Sequence, residues 1–510
     1  MPCFLSHVLT ILACCTCLAL NPQASALYDY YHEPNHRAEQ PAAPCKPHQV
    51  HLSFGNSIHD FNIVWATAEK CISQVKFGPT AWQLHSEVPA SYNNFLEQNY
   101  FGQQHLYRAK LQHLLPETMY YYMAVSNESY SRIFYFQTPP AGNKWSPDFL
   151  MFGDLGIHSN TTPSLINEAF SGNYTALFHV GDFAYDLHAQ NGLLGDYFME
   201  LIEPVAAYIP YMTCPGNHEI NQGTFAHYRN RFAMPGSNWP IPLDGMWYSM
   251  DIGPVHFVSY SSEVFFTHFG QYVDVQRQWL VSDLGNVSRE KTPWVVAYGH
   301  RPMYCSTKIG DDCSLRFSRV RAGLEDIFVE FQVDLIIQAH EHNYERLWPV
   351  YKWKVGPKSY INPPLPVQII TGAAGSIERT DHFPTLKPEW SAFRLDEAAL
   401  NSYGRLLVKN LSHLYWEQRS IDNHTILDSI WIVKNTKTTS PPSYKFVVVV
   451  VVSCTVLAAL LLINCALYIG LLLKQYNKHT CMFPRLTPYT RLTSLETGPS
   501  HGGMSVADQT

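Results

Sequence analysis

The sequence lacks a strongly basic or strongly acidic region, and only 15% of its residues are charged. Its 35 lysine and arginine residues stand against 42 aspartate and glutamate residues, so the formal charge is only -7 on 510 residues. The sequence therefore has no basic cluster that would indicate binding to nucleic acid, and no acidic tail that would indicate a cationic partner. The sequence also has no internal repeat. Its hydrophobic content of 46% is sufficient for two or three independently folded domains and argues against a disordered chain.

The first 26 residues contain no lysine or arginine. They do contain an apolar run from Val8 to Leu20, followed by the small residues Ala24, Ser25 and Ala26. This pattern predicts a signal peptide (1–26) that is cleaved after Ala26. An uncleaved amino-terminal anchor is the alternative, because a basic segment before the apolar run is missing.

A second apolar segment, residues 446–473, has no charged residue over 28 positions. At about 1.5 Å per residue, a helix of this length exceeds a hydrocarbon core of about 30 Å, so we predict one transmembrane helix. Basic residues follow the segment at positions 474, 478, 485 and 491 and weakly favour a cytoplasmic tail, 474–510. The predicted signal peptide gives the same orientation. The chain is thus expected to be a single-pass type I protein at the cell surface or in endo-lysosomes, and the 37 residues after the segment argue against a glycolipid anchor.

The region between the two apolar segments has the features of a lumenal domain. It contains five cysteines, so at least one is unpaired; we predict disulfides Cys305–Cys313 and Cys45–Cys71 and a buried thiol at Cys214. It also contains six N-x-S/T sequons, which predict N-glycosylation at Asn127, Asn160, Asn173, Asn286, Asn410 and Asn423.

The pattern of apolar and polar residues in the lumenal region changes near residues 139–144. Short alternating segments with polar turns fill residues 44–140 and predict a small antiparallel β-sandwich. Short apolar runs separated by longer, partly helical stretches follow in 146–435 and predict an α/β domain. Within it, Val320, Leu324, Ile327, Phe328 and Phe331 lie on one face of a helix. A linker, 436–445, leads to the membrane.

Polar side chains follow five strand-like apolar runs in the second domain. The runs end just before GDLG, GDFAYD, PGNHE, a GH pair and AHEH. Because ligands bind at the carboxyl ends of strands in open α/β sheets, we expect these motifs to meet in one cleft. Glycine before four of the candidate ligands permits tight turns and close backbone approach. The candidate metal ligands are Asp154, Asp182, Tyr185, Asn217, His300, His340 and His342.

These seven side chains offer hard oxygen and borderline nitrogen donors, and no thiolate. They suit a trivalent iron beside a divalent zinc, iron or manganese. Each residue alone has an ordinary structural explanation: Asp154 as a turn residue, Tyr185 as a packed aromatic, His340 as a core histidine. Five clusters in this order, each behind an apolar run, favour function instead. His179 and His227 fall outside the clusters and are interpreted as structural.

The motifs in this order resemble those of the purple acid phosphatases, a family of the calcineurin-like metallophosphoesterase superfamily, and specifically the animal, plant-like high-molecular-weight branch. GHRPMYC, AHEHNYERLWP, ITGAAGS and PEWSAFR are similar to its catalytic and carboxy-terminal segments. PHQVHLSF and YRAKLQHLLPETMYYY are similar to its amino-terminal domain. The resemblance implies a fibronectin type III-like β-sandwich (44–140) and a four-layer α/β/β/α metallophosphoesterase domain (146–435) with a carboxy-terminal segment at about 365–435.

The resemblance also implies a role for each site residue. Asp154, Tyr185 and His342 would bind Fe(III), and Asp182 would bridge the two ions. The divalent ion, expected to be zinc with iron or manganese as alternatives, would be held by Asn217, His300 and His340. His218 would contact phosphate as the catalytic residue, and Glu219 would give structural support.

The implied reaction is acid hydrolysis of phosphate monoesters. A metal-bound hydroxide would attack in line, and His218 would stabilise charge on the equatorial oxygens without a phosphoenzyme. Two alternatives stay open: a phosphodiesterase or nucleotidase on the same fold, and a non-catalytic surface binding protein. The oligomeric state is not predicted.

The sequence departs from the family pattern at two places. Ala339 replaces the first glycine of the plant GHxH pattern but leaves both histidines in place. The family often has one or two histidines some nine or more residues after the ligand equated with His300, whereas this chain has none as far as Arg319. We consider Lys308, Arg316 or Arg319 as replacements that would supply positive charge.

Overall fold

The computed structural model describes residues 43–95, 104–159, 161–172, 174–221, 223–266, 270–308, 310–421, 424–435 and 444–479. The chain divides into two units, Met1–Thr436 and Lys437–Thr510. The predicted signal peptide lies outside the described residues, as do most of the predicted linker and cytoplasmic tail.

The first unit begins with two antiparallel sheets. Their strands are β1 (His48–Phe54), β2 (Phe61–Thr67), β3 (Ser73–Gly78), β4 (Ser86–Pro89), β5 (Ser91–Phe95), β6 (Gln104–Leu111), β7 (Met119–Ser126), β8 (Ser129–Tyr130) and β9 (Phe134–Gln137). One sheet has the order β1-β2-β6-β5; the other has the order β4-β3-β7-β8, with β9 also paired to β7. Every pairing in both sheets is antiparallel.

The two amino-terminal sheets share one buried core. Phe61 of β2 stacks on Phe136 of β9 with ring centroids 4.2 Å apart, and Trp65 of β2 donates its indole N–H to Ser126 of β7. The Cys45–Cys71 disulfide is present as predicted. The β-rich character of this domain is therefore confirmed, whereas its likeness to a fibronectin type III domain stays a prediction.

Two larger mixed sheets form the rest of the first unit. The first central sheet contains β10 (Asp148–Phe152), β11 (Ala176–Val180), β12 (Tyr211–Cys214), β22 (Ser402–Val408), β23 (His413–Ser420) and β24 (Ile426–Val433). Its order is β12-β11-β10-β22-β23-β24, in which β10, β11 and β12 run parallel. The carboxy-terminal strands therefore extend the sheet that begins at residue 148.

The second central sheet also has a parallel centre. It contains β13 (Tyr248–Ile252), β14 (Val255–Ser259), β15 (Trp294–Tyr298), β16 (Leu335–Gln338), β17 (Tyr344–Leu347), β20 (Val367–Thr371) and β21 (Ser391–Leu395), and a hairpin of β18 (Val350–Tyr351) and β19 (Lys354–Val355) follows β17. The order is β13-β14-β15-β16-β20-β17-β21, with β14, β15, β16 and β20 parallel.

The two central sheets pack face to face, and helices lie on their outer faces. The helices are α1 (Thr161–Ser171), α2 (Leu193–Ala206), α3 (Ala226–Arg231), α4 (Gly270–Gly285) and α5 (Arg319–Glu330). Between the sheets, Phe178 stacks on Phe257 with centroids 4.6 Å apart. Phe198 of α2 contacts His179 of the first sheet, and Phe328 of α5 contacts Tyr260, which follows β14 of the second.

Helix α5 follows from the local sequence. The Ser318 hydroxyl accepts the N–H of Arg321, and Asp312 accepts the N–H of Arg319, so side chains satisfy two N–H groups of the first turn. Four of the five apolar residues predicted to share its inner face, at positions 320, 324, 327 and 328, are buried. Phe331 caps the carboxyl end and is partly buried.

The second unit contains helix α6 (Tyr444–His479). Its segment Leu457–Lys474 has a mean hydropathy of 2.1 and the length of a membrane span. The predicted apolar helix is therefore present near the carboxyl end.

Candidate metal centre

All seven predicted ligands follow carboxyl ends of parallel strands. Asp154 follows β10, Asp182 and Tyr185 follow β11, and Asn217 follows β12 in the first central sheet. His300 follows β15, and His340 and His342 follow β16 in the second. Since the sheets pack face to face, the loops of both sheets meet at one edge, as the sequence predicts.

One group of donors consists of Asp154, Tyr185 and His342. The Tyr185 hydroxyl lies 3.2 Å from Asp154 Oδ1 and 3.0 Å from His342 Nε2. His342 Nε2 lies 3.4 Å from Asp154 Oδ1. Three donor atoms from three strands therefore face one another, and all three side chains are buried.

A second group of donors surrounds the Nε2 atom of His300. This atom lies 3.1 Å from each of Asn217 Oδ1, His340 Nδ1 and Asp182 Oδ2. The backbone N–H of His340 donates to Asp154 Oδ2, which connects the second group to the first. The structure thus brings all seven predicted residues together.

The spacing within both groups fits metal ligands. Two donors on one cation at bond lengths of about 2.1 Å lie about 3.0 Å apart at a right angle and about 3.4 Å apart at a tetrahedral angle. The three distances in the first group and the three from His300 Nε2 in the second are 3.0–3.4 Å. The residues present therefore fit two cations.

The outer nitrogens of two histidines are already occupied by backbone oxygens. His300 Nδ1 donates to the carbonyl of Val180 at 2.9 Å, and His342 Nδ1 faces the carbonyl of Arg379 at 3.1 Å. A proton at Nδ1 leaves Nε2 unprotonated, with a lone pair that can bind a metal. In both residues Nε2 is the atom that faces the other donors. Such outer contacts fix the tautomer of metal-binding imidazoles.

The backbone is strained at this site. Asp154, Asp182, Tyr185 and His340 have φ values of 61°, 53°, 54° and 70°, in the left-handed region that non-glycine residues rarely occupy. Such strain concentrates at functional sites, where the surroundings impose it. Close packing contributes: a Cβ atom added at Gly216 would lie 2.2 Å from Asp182 Oδ1, so only glycine fits there.

The buried carboxylates favour positive charge in the site. Burial alone lowers the pKa of His300, but the neighbouring Asp182 outweighs burial and raises it to about 10. The same balance with Asp154 raises the pKa of His342 to about 9. For Asp182, the effect of burial is outweighed by His300, and its pKa lies below the usual range. The negative charges of these carboxylates would also stabilise bound cations.

His218 lies beside the donors and is not one of them. Its Nδ1 lies 2.9 Å from Asp186, its Nε2 lies 3.4 Å from Glu378, and its ring is 4.6 Å from that of Tyr185. Burial lowers the pKa of His218, but Asp186 and Asp182 outweigh burial and raise it to about 9. A cationic imidazole at the rim of the site can contact an anionic substrate.

Glu219 supports the loops that carry the donors. Its buried carboxylate accepts backbone N–H groups from Asp182, Phe183 and Gly216 at 2.7–3.0 Å. It therefore joins the turns after β11 and β12, in line with the supporting role expected from the sequence.

The role considered for Lys308, Arg316 and Arg319, as replacements for the missing histidines, stays a prediction. Arg319 lies over the ring of Phe266, and Lys308 and Arg316 are exposed. Another basic side chain, that of Arg301, lies close to the donors: its Nη1 is 2.9 Å from His340 Nε2. Two carboxylates, Asp311 and Glu378, were also not predicted. They belong to loops whose paths no local pattern fixes.

Comparison with known proteins agrees with this geometry. Residues 147–344 match the family model described as calcineurin-like phosphoesterase, 365–429 match iron/zinc purple acid phosphatase-like protein C, and 47–138 match the purple acid phosphatase N-terminal domain. The chain is 42% identical over 413 residues to human acid phosphatase type 7, covering 77% of this chain and 92% of the relative. The chain belongs to the purple acid phosphatase family.

Further relatives extend the similarity to plants. A probable purple acid phosphatase 20 of Arabidopsis thaliana is 28% identical over 76% of this chain and 88% of its own length. The structure of the purple acid phosphatase PPD1 from yellow lupin seeds superposes with a TM-score of 0.67 at 22% identity, covering 78% of this chain and 76% of that chain. The calcineurin-like metallophosphoesterase fold is thereby confirmed.

Membership of this family confirms the predicted activity. The chain is a metal-dependent acid phosphatase that hydrolyses phosphate monoesters, and its family implies a dinuclear centre of iron and a further divalent metal. The clustering of Asp182, His300 and His340 is consistent with such a centre.

Proposed function

We propose that the two donor groups hold the two metals separately, with Asp182 between them. The ferric ion would be bound by Asp154, Tyr185 and His342, and the divalent ion, zinc in our proposal, by Asn217, His300 and His340. The observation that carries this assignment is the division of the donors into two sets with 3.0–3.4 Å spacing.

Tyr185 supports the assignment of iron to the first group. Burial, together with Asp154 and Asp182, raises the pKa of its phenol well above the usual value. Ionisation of this phenol therefore requires a strong compensating positive charge, which a trivalent cation supplies. Hard phenolate and carboxylate oxygens are also the donors that such an ion prefers, while the two imidazoles in the second group suit zinc.

When bound, the two cations would neutralise phosphate oxygens and lower the pKa of a bound water so that hydroxide forms near neutral or acidic pH. His218 would contact the phosphate and stabilise the charge that develops on its oxygens. Asp186 holds the ring of His218 through Nδ1, and Nε2 lies 3.4 Å from Glu378 and 4.0 Å from Asp182 Oδ2. Glu219 keeps the donor loops together.

A visible absorption spectrum tests the assignment of Tyr185. We expect a broad phenolate-to-iron charge-transfer band in the full-length protein, solubilised in detergent, and its loss in Tyr185→Phe. Tyr174→Phe, which removes the hydroxyl of a half-buried tyrosine that contacts Glu168, is the matched control and should keep the band. A band that persists in Tyr185→Phe would assign the iron to another residue.

We also propose that the first unit is lumenal and glycosylated and that α6 anchors it as a type I membrane protein. The apolar segment Leu457–Lys474 supports an anchor. The two disulfides support an oxidising compartment. Of the predicted glycosylation sites, Asn127, Asn286 and Asn410 are exposed; the sites at 160, 173 and 423 lie outside the described residues.

Glycosidase treatment of the protein from secretory-pathway membranes tests this topology. We expect enzymatic removal of N-glycans to increase electrophoretic mobility, and the shift to shrink stepwise in Asn127→Gln, Asn286→Gln and Asn410→Gln. The substrate asparagines face the lumen only in the type I orientation. An unglycosylated protein, with a protease-sensitive first unit in sealed vesicles, would contradict the proposal.

A further inference from the structure

The loop between β15 and α5 places an unassigned carboxylate on one of the histidines of the site. Asp311 Oδ2 lies 2.5 Å from His340 Nε2, and the Asp311 side chain is 31% exposed. Asp311 is not one of the seven predicted donors. Its contact is made to the atom of His340 that points away from the other donors.

The tautomer of His340 gives this contact a function. His340 Nδ1 lies 3.1 Å from His300 Nε2, so Nδ1 is the atom that faces the second donor group. An imidazole nitrogen binds a cation only without a proton, so the proton must be at Nε2. A carboxylate beside Nε2 accepts that proton in a hydrogen bond, fixes the ring and makes Nδ1 a stronger donor.

His340 differs in this respect from His300 and His342. Backbone carbonyls orient those two residues, and such an acceptor is present whatever side chain its residue carries. His340 is oriented by a side chain, so its strength as a ligand depends on the residue at position 311. A charged acceptor also forms a stronger hydrogen bond than a neutral carbonyl.

Several contacts hold Asp311 in place. The Cys305–Cys313 disulfide closes the loop, and both cysteines are buried. Cys313 Sγ also contacts Glu341, the residue between the two histidines of the AHEH motif, at 3.1 Å. Asp312 accepts the hydroxyl of Ser318 at 2.5 Å and thereby fastens the loop to the start of α5.

Arg301 supplies a positive charge to the same arrangement. Its Nε donates to both carboxylate oxygens of the buried Glu263 at 3.0 Å, so its position is fixed. Its Nη1 lies 3.9 Å from Asp311 Oδ1. Its Nη1 also lies 2.9 Å from His340 Nε2, so the guanidinium of Arg301 lies beside both partners of the Asp311–His340 contact.

We propose that Asp311 is a positioning residue for the divalent metal: it holds the proton of His340 at Nε2 and directs Nδ1 to the cation. This inference rests on the proposed assignment of His340 to the divalent ion. It adds that the affinity of this one metal, and not of the ferric ion, depends on a loop closed by the Cys305–Cys313 disulfide.

Metal retention by the holoenzyme tests the proposal. Full-length protein is equilibrated with increasing concentrations of a zinc chelator, and retained zinc and iron are measured by mass spectrometry together with the visible band. For Asp311→Asn we expect 10–100-fold weaker retention of zinc, with the iron content and the band unchanged. Asp311→Glu, which keeps a carboxylate, should recover most of the affinity.

The control is Asp251→Asn, which removes a carboxylate 2.7 Å from His256 Nδ1, an aspartate–histidine pair outside the candidate ligands. It should retain zinc as the unmodified protein does. Equal zinc retention in Asp311→Asn and the unmodified protein would overturn the inference, as would equal loss of both metals. If the unmodified protein itself holds no second metal, the proposed function fails instead, so the two failures are distinguishable.

Discussion

Asp182→Asn should remove both metals and lower phosphatase activity by at least about 10³-fold, equivalent to roughly 4 kcal/mol of transition-state stabilisation. Asp182 is 1% exposed, and its Oδ2 lies 3.1 Å from His300 Nε2. The substitution keeps the shape of the side chain but removes the charge that would balance two cations. Metal content and hydrolysis of p-nitrophenyl phosphate are the measurements.

Asp148→Asn is the matched control for this variant. Asp148 begins β10, the strand whose other end leads to Asp154, and its carboxylate pairs with Arg405. This variant should keep both metals even if it is less stable. Full metal occupancy in Asp182→Asn would show that Asp182 is not a shared ligand.

His218→Ala should leave both metals bound and lower kcat by about 10²–10³-fold, the range found when one donor to a developing negative charge is removed. The imidazole contacts Asp186 and Glu378, whereas the backbone N–H of His218, which donates to Asp182 Oδ1, is unchanged by the substitution. Kinetics with p-nitrophenyl phosphate and metal analysis of the same sample separate turnover from metal loss.

His424→Ala provides the comparison for His218. His424 is a half-exposed histidine that lies 3.5 Å from Glu168, away from the seven donors in sequence and in its contacts. Its loss should leave kcat within about twofold, as for most surface substitutions. Metal loss in His218→Ala, or an unchanged kcat, would remove His218 from the proposed catalytic role.

The sequence was sufficient to predict where the donors meet. Short apolar runs such as Phe149–Phe152 mark buried strands, and a polar residue just after each run lies at the carboxyl end of a strand. These patterns are local. Because parallel strands place their carboxyl ends at the same edge of a sheet, the polar residues that follow them lie close together. The Cys305–Cys313 disulfide and the buried Cys214 were also predictable, because the two cysteines are close in sequence and Cys214 ends an apolar run.

The surroundings of the donors could not be predicted in the same way. Arg301 follows His300 directly, but its direction towards His340 depends on the buried Glu263 from another loop. Asp311 and Glu378 reach the site from loops whose paths depend on tertiary contacts. Strands with exposed residues, such as Ser86–Pro89, also lack the apolar alternation that marks a strand.

Anomalous diffraction at the iron and zinc absorption edges, from crystals of the purified protein, tests the central claim most directly. We predict two peaks about 3.5–4 Å apart. The iron peak should lie among Asp154, Tyr185 and His342, and the zinc peak among Asn217, His300 and His340. A single peak, or two peaks outside these donor sets, would contradict the account.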